Sequence, residues 1–430
     1  MSSIWAENIQ KPHFDSLRQD KTTDVLIIGG GMTGLLCAYT LQQAGVHCIL
    51  CEADTICGAV THNTTAKITF QHGFIYDKLI SKSEKKAALY LQANKEAFRK
   101  YSMLCQDIDC DFAKVDSYVY SFNRQKAQAE FAALDKLGIS AKLTTNTSLP
   151  LKDICAVSVE NQGQFNPLKF AYALAEGLPI YEHTKIKELL PHTAIIDGGK
   201  IKARKIILAT HFPILNKHGG FFLKLYQHRS YVLALQNAPQ IHGIYVDEDK
   251  KGMSFRNYGD LLLLGGGGHR TGKKGGGWLE LENFASSHFP KAKIVARWAT
   301  QDCMTLDNIP YIGQYSPNTP DLYVATGFNK WGMTSSMVAA TLLADMIVGK
   351  SSPYEEIFSP SRSILHPQLA VNSAEAIINL ITPTVPRCPH MGCALKYNKQ
   401  EHTWDCPCHG SRFSENGQLI DNPATDDKRM

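Results

Sequence analysis

Residues Thr23 to Glu52 constrain this chain more than any other stretch. Val25-Leu26-Ile27-Ile28 is an unbroken apolar run, the pattern of a parallel strand covered on both faces. Gly29-Gly30-Gly31 follows as a turn. Leu35, Leu36, Ala38 and Leu41 then recur at helical spacing, Gly45 ends the helix, and His47 to Cys51 reads as a second strand closed by Glu52. Gly29-x-Gly31-x-x-Gly34 thus sits between a strand and a helix, with an acid 23 residues after Gly29. That context is what a dinucleotide site requires. Gly29 permits the tight turn, Gly31 lets a pyrophosphate approach backbone N–H groups, and Gly34 lets helix and strand pack closely. Glu52 is placed to accept from ribose hydroxyls.

The rest of the chain extends an α/β start into a larger protein. Its 430 residues are enough for two to three domains. The net charge of +5 is scattered, with no block of five like charges, so no nucleic-acid surface is expected. The first residues lack the basic-then-apolar order of a secretory leader, and no run of 18 uncharged apolar residues occurs. Met333 to Val348 reads as a buried helix, no transmembrane segment is expected, and the expected location is cytoplasmic. Eight of twelve cysteines are scattered among apolar neighbours, as small buried hydrophobes would be in a reducing compartment. The other four crowd near the C-terminus.

Between these ends, Ser83 to Gln106 has helical periodicity, and Asn166-Pro167 opens a second helix over Leu168 to Glu176. Lys205 to Leu208 is a buried strand ending at Ala209-Thr210. Strand-like runs dominate Leu223 to Asp302. Leu322 to Ala325 is a strand, Thr326-Gly327-Phe328 a turn, and Gly332 to Ile347 a helix. Gly267 to Lys273 matches a phosphate-loop pattern. Lys274 nevertheless stands where a hydroxyl must bind magnesium, and Gly275-Gly276-Gly277 is a poor helix start, so this run is expected to be a flexible glycine loop. The Ser- and Pro-rich segment 351–371 is expected to be a linker.

Three features favour FAD as the dinucleotide. GAVTHNTTAK after Glu52 is rich in small and hydroxyl residues, and Ala209-Thr210 ends a strand behind a small sheet insertion. LYVATGFNKWGMTSS forms a second strand–glycine–helix entry. With LDNIPYIG and TTAKITFQHGFIY, these residues resemble the FAD-dependent oxidoreductases of the D-amino-acid oxidase, glycine oxidase and sarcosine oxidase type over residues 22–350. The resemblance implies an FAD-binding Rossmann-like domain with a β-rich substrate domain. It also implies cofactor contacts from Gly29, Gly31, Met32, Thr33, Gly34, Glu52, Thr65, Ala209, Gly327, Trp331, Gly332 and Met333. Arg256 is the one candidate to hold a substrate carboxylate through a bidentate pair, although a surface or structural role is the favoured reading for it. Trp331 and Tyr231 face either the flavin or the core.

From Cys388 to Phe413 the chain reads CPHMGCALKYNKQEHTWDCPCHGSRF. Two short pairs, Cys388-x-His390 and Cys406-x-x-His409, each carry an extra thiol, Cys393 and Cys408. Zinc sites prefer other spacings and would leave those two thiols over. CPHMGC and CPCHGS resemble the boxes of Rieske iron–sulfur proteins. That resemblance implies a [2Fe-2S] cluster with Cys388 and Cys406 on one iron, His390 and His409 on the other, and a Cys393–Cys408 disulfide. Residues 372–430 would form a small all-β domain, shortened because Asn372 to Leu380 looks helical. Phe413 stands where such proteins have a tyrosine donor, which implies a lowered potential. Asn422-Pro423-Ala424 resembles their proline loop.

Together these readings imply an enzyme that oxidises an amine or amino-acid C–N bond by hydride transfer to FAD. The electrons would pass through the cluster to an external acceptor. The alternative is a non-catalytic electron-transfer or redox-sensing protein.

Overall fold

A computed structural model describes residues 3–215, 218–249, 252–383 and 386–428. The dinucleotide unit forms as its pattern requires. The strand Lys21–Ile28 lies between Cys48–Cys51 and Gly199–Leu208, all parallel. Ile28 pairs with both Cys51 and Leu208, and Leu208 in turn with Val324 of the strand Leu322–Thr326. Gly29, Glu52, Ala209 and Gly327 therefore emerge along one edge of the sheet, at the carboxyl ends of its strands, where open α/β sheets bind ligands. The helix Met32–Gln43 covers this sheet beside the helix Gly332–Ile347, and Thr33 Oγ1 meets Ser336 Oγ at 2.9 Å. A Cβ on Gly34 would stand 1.9 Å from the Gly29 carbonyl oxygen, so its role is close packing of helix on turn.

A nine-stranded sheet forms the second layer, built mainly from Ala113–Ser121, Cys155–Gln164, Leu225–Gln236, Leu261–Arg270 and Lys293–Thr305. Ser83 caps the helix Glu84–Asp107. Asn166 Oδ1 accepts from the N–H groups of Leu168 and Lys169 at the start of Pro167–Ala175, as the Asn-Pro pair implied.

The glycine run departs from expectation. Gly265 to Gly268 belongs to the strand Leu261–Arg270, and Gly277 opens the helix Gly277–His288. Packing overrides local propensity at both places. A Cβ on Gly267 would lie 2.2 Å from the Gly277 carbonyl oxygen, and Trp278, Leu281 and Ala285 bury one face of the helix on the sheet. These glycines permit close approach and do not form a flexible loop.

Segment 351–371 is packed and not a free tether. Ile357 and Phe358 enter the main core, and Arg362 pairs with Asp307 at 2.7 Å while lying 3.7 Å over the Tyr311 ring. The helix Pro367–Ile381 then leads to a four-stranded antiparallel meander, Lys396–Asn398, Thr403–Asp405, Arg412–Ser414 and Leu419–Asp421. Among the described residues no further strand joins this small sheet. Among the described residues no helix is long and apolar enough to cross a membrane.

Candidate functional site

A cavity of about 1190 Å³ opens at the carboxyl edge of the parallel sheet. Gly29, Gly31, Met32, Thr33, Glu52, Thr65, Ala209, Gly327, Trp331, Gly332 and Met333 all line it; Gly34 alone of the expected cofactor contacts does not. Glu52 Oε2 accepts from the Gly30 N–H at 2.6 Å and Oε1 from the Asp54 N–H at 3.0 Å, which orients the carboxylate at the cavity wall. Burial raises its pKa, and the backbone donors oppose that shift.

Trp331 is held by a buried histidine. Its ring stacks on His72 with centroids 4.8 Å apart. His72 Nε2 meets the Thr69 carbonyl at 2.8 Å, and a carbonyl only accepts, so Nε2 carries the hydrogen and Nδ1 accepts from Tyr90 at 2.7 Å. Burial depresses its pKa to about 3, which keeps the ring neutral. Asn329 pins the preceding turn: its Oδ1 accepts from the Thr305 N–H at 2.8 Å, and its Nδ2 donates to the Gly327 carbonyl at 2.6 Å.

Of the two roles open to Arg256, the structure favours the structural one. It is 1% exposed and does not line the cavity. Nη1 donates to the carbonyls of Thr65 and Ala66 at 2.8 and 2.7 Å, and the guanidinium lies over the rings of Trp5 and Tyr258. With its donors directed at backbone carbonyls, it cannot also fork onto a substrate carboxylate. Its role is structural.

Lys67, which sequence reasoning passed over, lines the cavity instead. Its Nζ donates to two hydroxyls, Thr65 Oγ1 at 2.8 Å and Ser254 Oγ at 3.2 Å, and forms no ion pair with a carboxylate among the described residues. Burial, helped by the Arg256 charge and opposed by Asp302, pulls its pKa down to about 7. The only signal available beforehand was a lysine set among small hydroxyl residues in TTAK. Lys330 and Asp302 also line the cavity, and the charge on each favours the charged form of the other.

In the small domain, the loops after Cys388 and Cys406 fold alike. Gly392 N–H donates to the Cys388 carbonyl and Gly410 N–H to the Cys406 carbonyl, both at 2.9 Å. The Cys388 and Cys406 side chains are buried together, and the His390 and His409 rings stand 4.9 Å apart, nearly perpendicular. Cys393 and Cys408 stand at disulfide distance and tie the loops. His409 Nε2 donates to the Phe222 carbonyl at 3.0 Å, which leaves the Nδ1 lone pair buried without a hydrogen-bond partner. Two buried thiols facing two imidazoles, one with an orphaned nitrogen, match the donor set of a Rieske cluster. Ser411 is fully buried, with its hydroxyl accepting from the Ala424 N–H at 2.9 Å, and Phe413 is buried in the domain's core.

This small domain closes one side of the cavity. Asp421, Asn422 and Ala424 line it directly. Glu401 sits between Arg229 and Arg412, with Arg229 Nε at 3.0 Å and Arg412 Nη2 at 2.7 Å, and it also accepts from the Tyr231 hydroxyl at 2.9 Å. Burial alone would raise the Glu401 pKa, and the two guanidiniums outweigh it. Tyr231 is thus both a cavity residue and an anchor for the small domain.

Comparison with known proteins agrees with this architecture. The family described as FAD dependent oxidoreductase matches residues 24–346, and the Rieske [2Fe-2S] domain matches residues 369–429. YhfW of Bacillus subtilis (strain 168), which bears the name of a Rieske 2Fe-2S iron–sulfur protein, is 36% identical over 98% of this chain and 96% of its own. Gamma-glutamylputrescine oxidoreductase of Escherichia coli (strain K12) is 24% identical over 82% of this chain and 90% of its own. The crystal structure of glycine oxidase from Geobacillus kaustophilus shares the fold, with a TM-score of 0.67 at 21% identity over 80% of this chain and all of that one. The chain is an enzyme of the FAD-dependent oxidoreductase family that carries FAD and a C-terminal Rieske [2Fe-2S] domain.

Proposed function

We propose that this enzyme oxidises the C–N bond of a small-molecule amine or amino acid by hydride transfer to FAD and passes the electrons through its Rieske cluster to an external acceptor. The observation that carries the reading is one cavity with two kinds of wall: the dinucleotide strand ends on one side, and Asp421, Asn422 and Ala424 of the Rieske domain on the other. FAD supplies a two-electron acceptor, and the [2Fe-2S] cluster supplies a one-electron outlet. A relative named for a polyamine conjugate lends support to an amine substrate. In this reading residues 22–350 form the flavoprotein, 351–371 the connection and 372–430 the Rieske domain. The reaction runs in the cytoplasm and involves no nucleic acid.

The residue roles follow from donor chemistry. The backbone N–H at Gly31 would meet the pyrophosphate, since that of Gly29 is spent on the Cys51 carbonyl, and Glu52 would accept from the ribose. The N–H groups that open the helix Gly332–Ile347, whose first residues line the cavity, would favour negative charge on a flavin held there. Cys388, Cys406, His390 and His409 hold the cluster, with His409 oriented by Phe222. Lys67 accepts the proton that a substrate ammonium must lose before its C–N bond is oxidised, since its own ammonium is desolvated and lacks a carboxylate partner.

Anaerobic mixing with a panel of amines and amino acids tests the reading. The expected result is bleaching of the flavin by at least one of them, followed by the cluster's EPR signal. If no such compound bleaches it and a protein reductase does, the non-catalytic electron-transfer reading takes its place.

A further inference from the structure

The contact between the two domains is a built, buried polar chain. Gln227, on the strand Leu225–Gln236, donates through Nε2 to two carbonyls of the small domain: His409 at 3.0 Å and Asn422 at 2.8 Å. Gln301 holds Gln227 in place, donating to Gln227 Oε1 at 2.8 Å and to the Gly410 carbonyl at 2.9 Å, and its own Oε1 accepts from Thr271 at 2.9 Å. Gln227 and Gln301 are 1% and 2% exposed. On the other side, Asn422 Nδ2 donates to the carbonyls of Thr210 and Phe212, at 2.6 and 2.8 Å, just past the strand end that lines the cavity. His409 itself reaches across to the Phe222 carbonyl.

We propose that Gln227 and Asn422 are positioning residues that lock the His409 loop onto the flavoprotein, so that the Rieske domain works as a fixed relay and not as a swinging carrier. Steric fit agrees with the hydrogen bonds. A Cβ on Gly410 would stand 2.5 Å from Gln227 Cβ, and one on Gly272 would stand 2.7 Å from Pro407 N, leaving no gap for the loop to rock. Undocking would leave the Gln227 and Gln301 amides and several backbone carbonyls without their partners together. The outer nitrogen of His409 is occupied inside the chain, so an external acceptor must approach the cluster by another edge.

The functional consequence rests on the relay reading above, and the test avoids the substrate. The full-length holoprotein is photoreduced at its flavin by a flash, and arrival of one electron at the oxidised cluster is followed optically, the flavin losing the electron that the cluster gains. In the wild type the rate is expected to stay constant as sucrose raises the viscosity. A rate that falls in proportion to viscosity overturns the fixed relay. In Gln227→Leu and Asn422→Gly the rate is expected to fall at least tenfold, with iron content and cluster EPR retained. Hydrogen exchange of residues 406–411 reads the lock by itself: slow in the wild type and faster in both variants. Equal exchange in all three overturns the lock. Slow exchange with no electron transfer in the wild type overturns the relay and leaves the lock standing.

Discussion

Arg256 and Lys67 act on opposite sides of one short piece of backbone. Arg256 Nη1 holds the carbonyls of Thr65 and Ala66, and Lys67, the next residue, lies in the cavity wall with Nζ on Thr65 Oγ1 and Ser254 Oγ. The buried guanidinium supports the segment mechanically and adds positive potential beneath the ammonium. The arginine that the sequence drew attention to thereby tunes the lysine that it did not.

If Lys67 takes the substrate proton, flavin reduction by an amine should rise with pH through about 7 as the lysine becomes neutral. Lys67→Met should remove that inflection and slow reduction by roughly 10²-fold or more. Stopped-flow reduction across pH 5.5 to 9 at saturating amine checks both. A retained inflection would assign it to another group.

Lys67 also carries a stability signature. Its folded pKa lies below the ordinary lysine value of 10.5, so the unfolded chain binds more protons between about pH 7 and 10.5, and its contribution rises with pH across that window. Lys67→Met should flatten this part of the pH–stability curve, measured by denaturant unfolding. An unchanged slope would place the burial penalty elsewhere.

Arg256→Met should destabilise the fold by about 3 kcal/mol, because buried carbonyls lose a charged donor. Amine and amino-acid substrates should be affected alike. A selective rise in KM for carboxylate-bearing substrates would instead return Arg256 to the binding site.

Cys406→Ser should abolish the cluster's EPR signal and reduce the iron content while the flavin absorbance stays. The cluster loops lie with the four-stranded sheet, whereas most of the expected FAD contacts lie at the carboxyl edge of the parallel one. Loss of both chromophores together would mean that cluster and flavin domain fold as one unit.

Phe413→Tyr should raise the cluster's midpoint potential. The ring is fully buried in the small domain's core, and a hydroxyl there would add a hydrogen-bond donor near the sulfurs, stabilising the more negative reduced state. Spectroelectrochemical titration reads the shift, and a lowered potential would count against a donor at this position.

The strand–glycine–helix unit, the eleven expected positions that line the cavity and the two cluster boxes are legible in the linear chain for one reason. Each encodes a local geometry, a tight turn or a short ligand pair, that needs particular residues at particular spacings. The first half of the run Gly267 to Lys273 is strand and not loop because its constraint is not local: Gly267 is small to admit the Gly277 backbone, and Gly268 to admit His228.

By itself, then, the sequence determined the two cofactors, the fold class and the order of the domains. Tertiary structure alone decided which side chains converge between them. Arg229 and Glu401 are 172 positions apart, and Gln227 and His409 are 182 apart. No spacing rule spans such distances. Those pairs exist because burial of two separate apolar cores brings one sheet edge against one loop, and every buried polar group left at that contact must find its partner there.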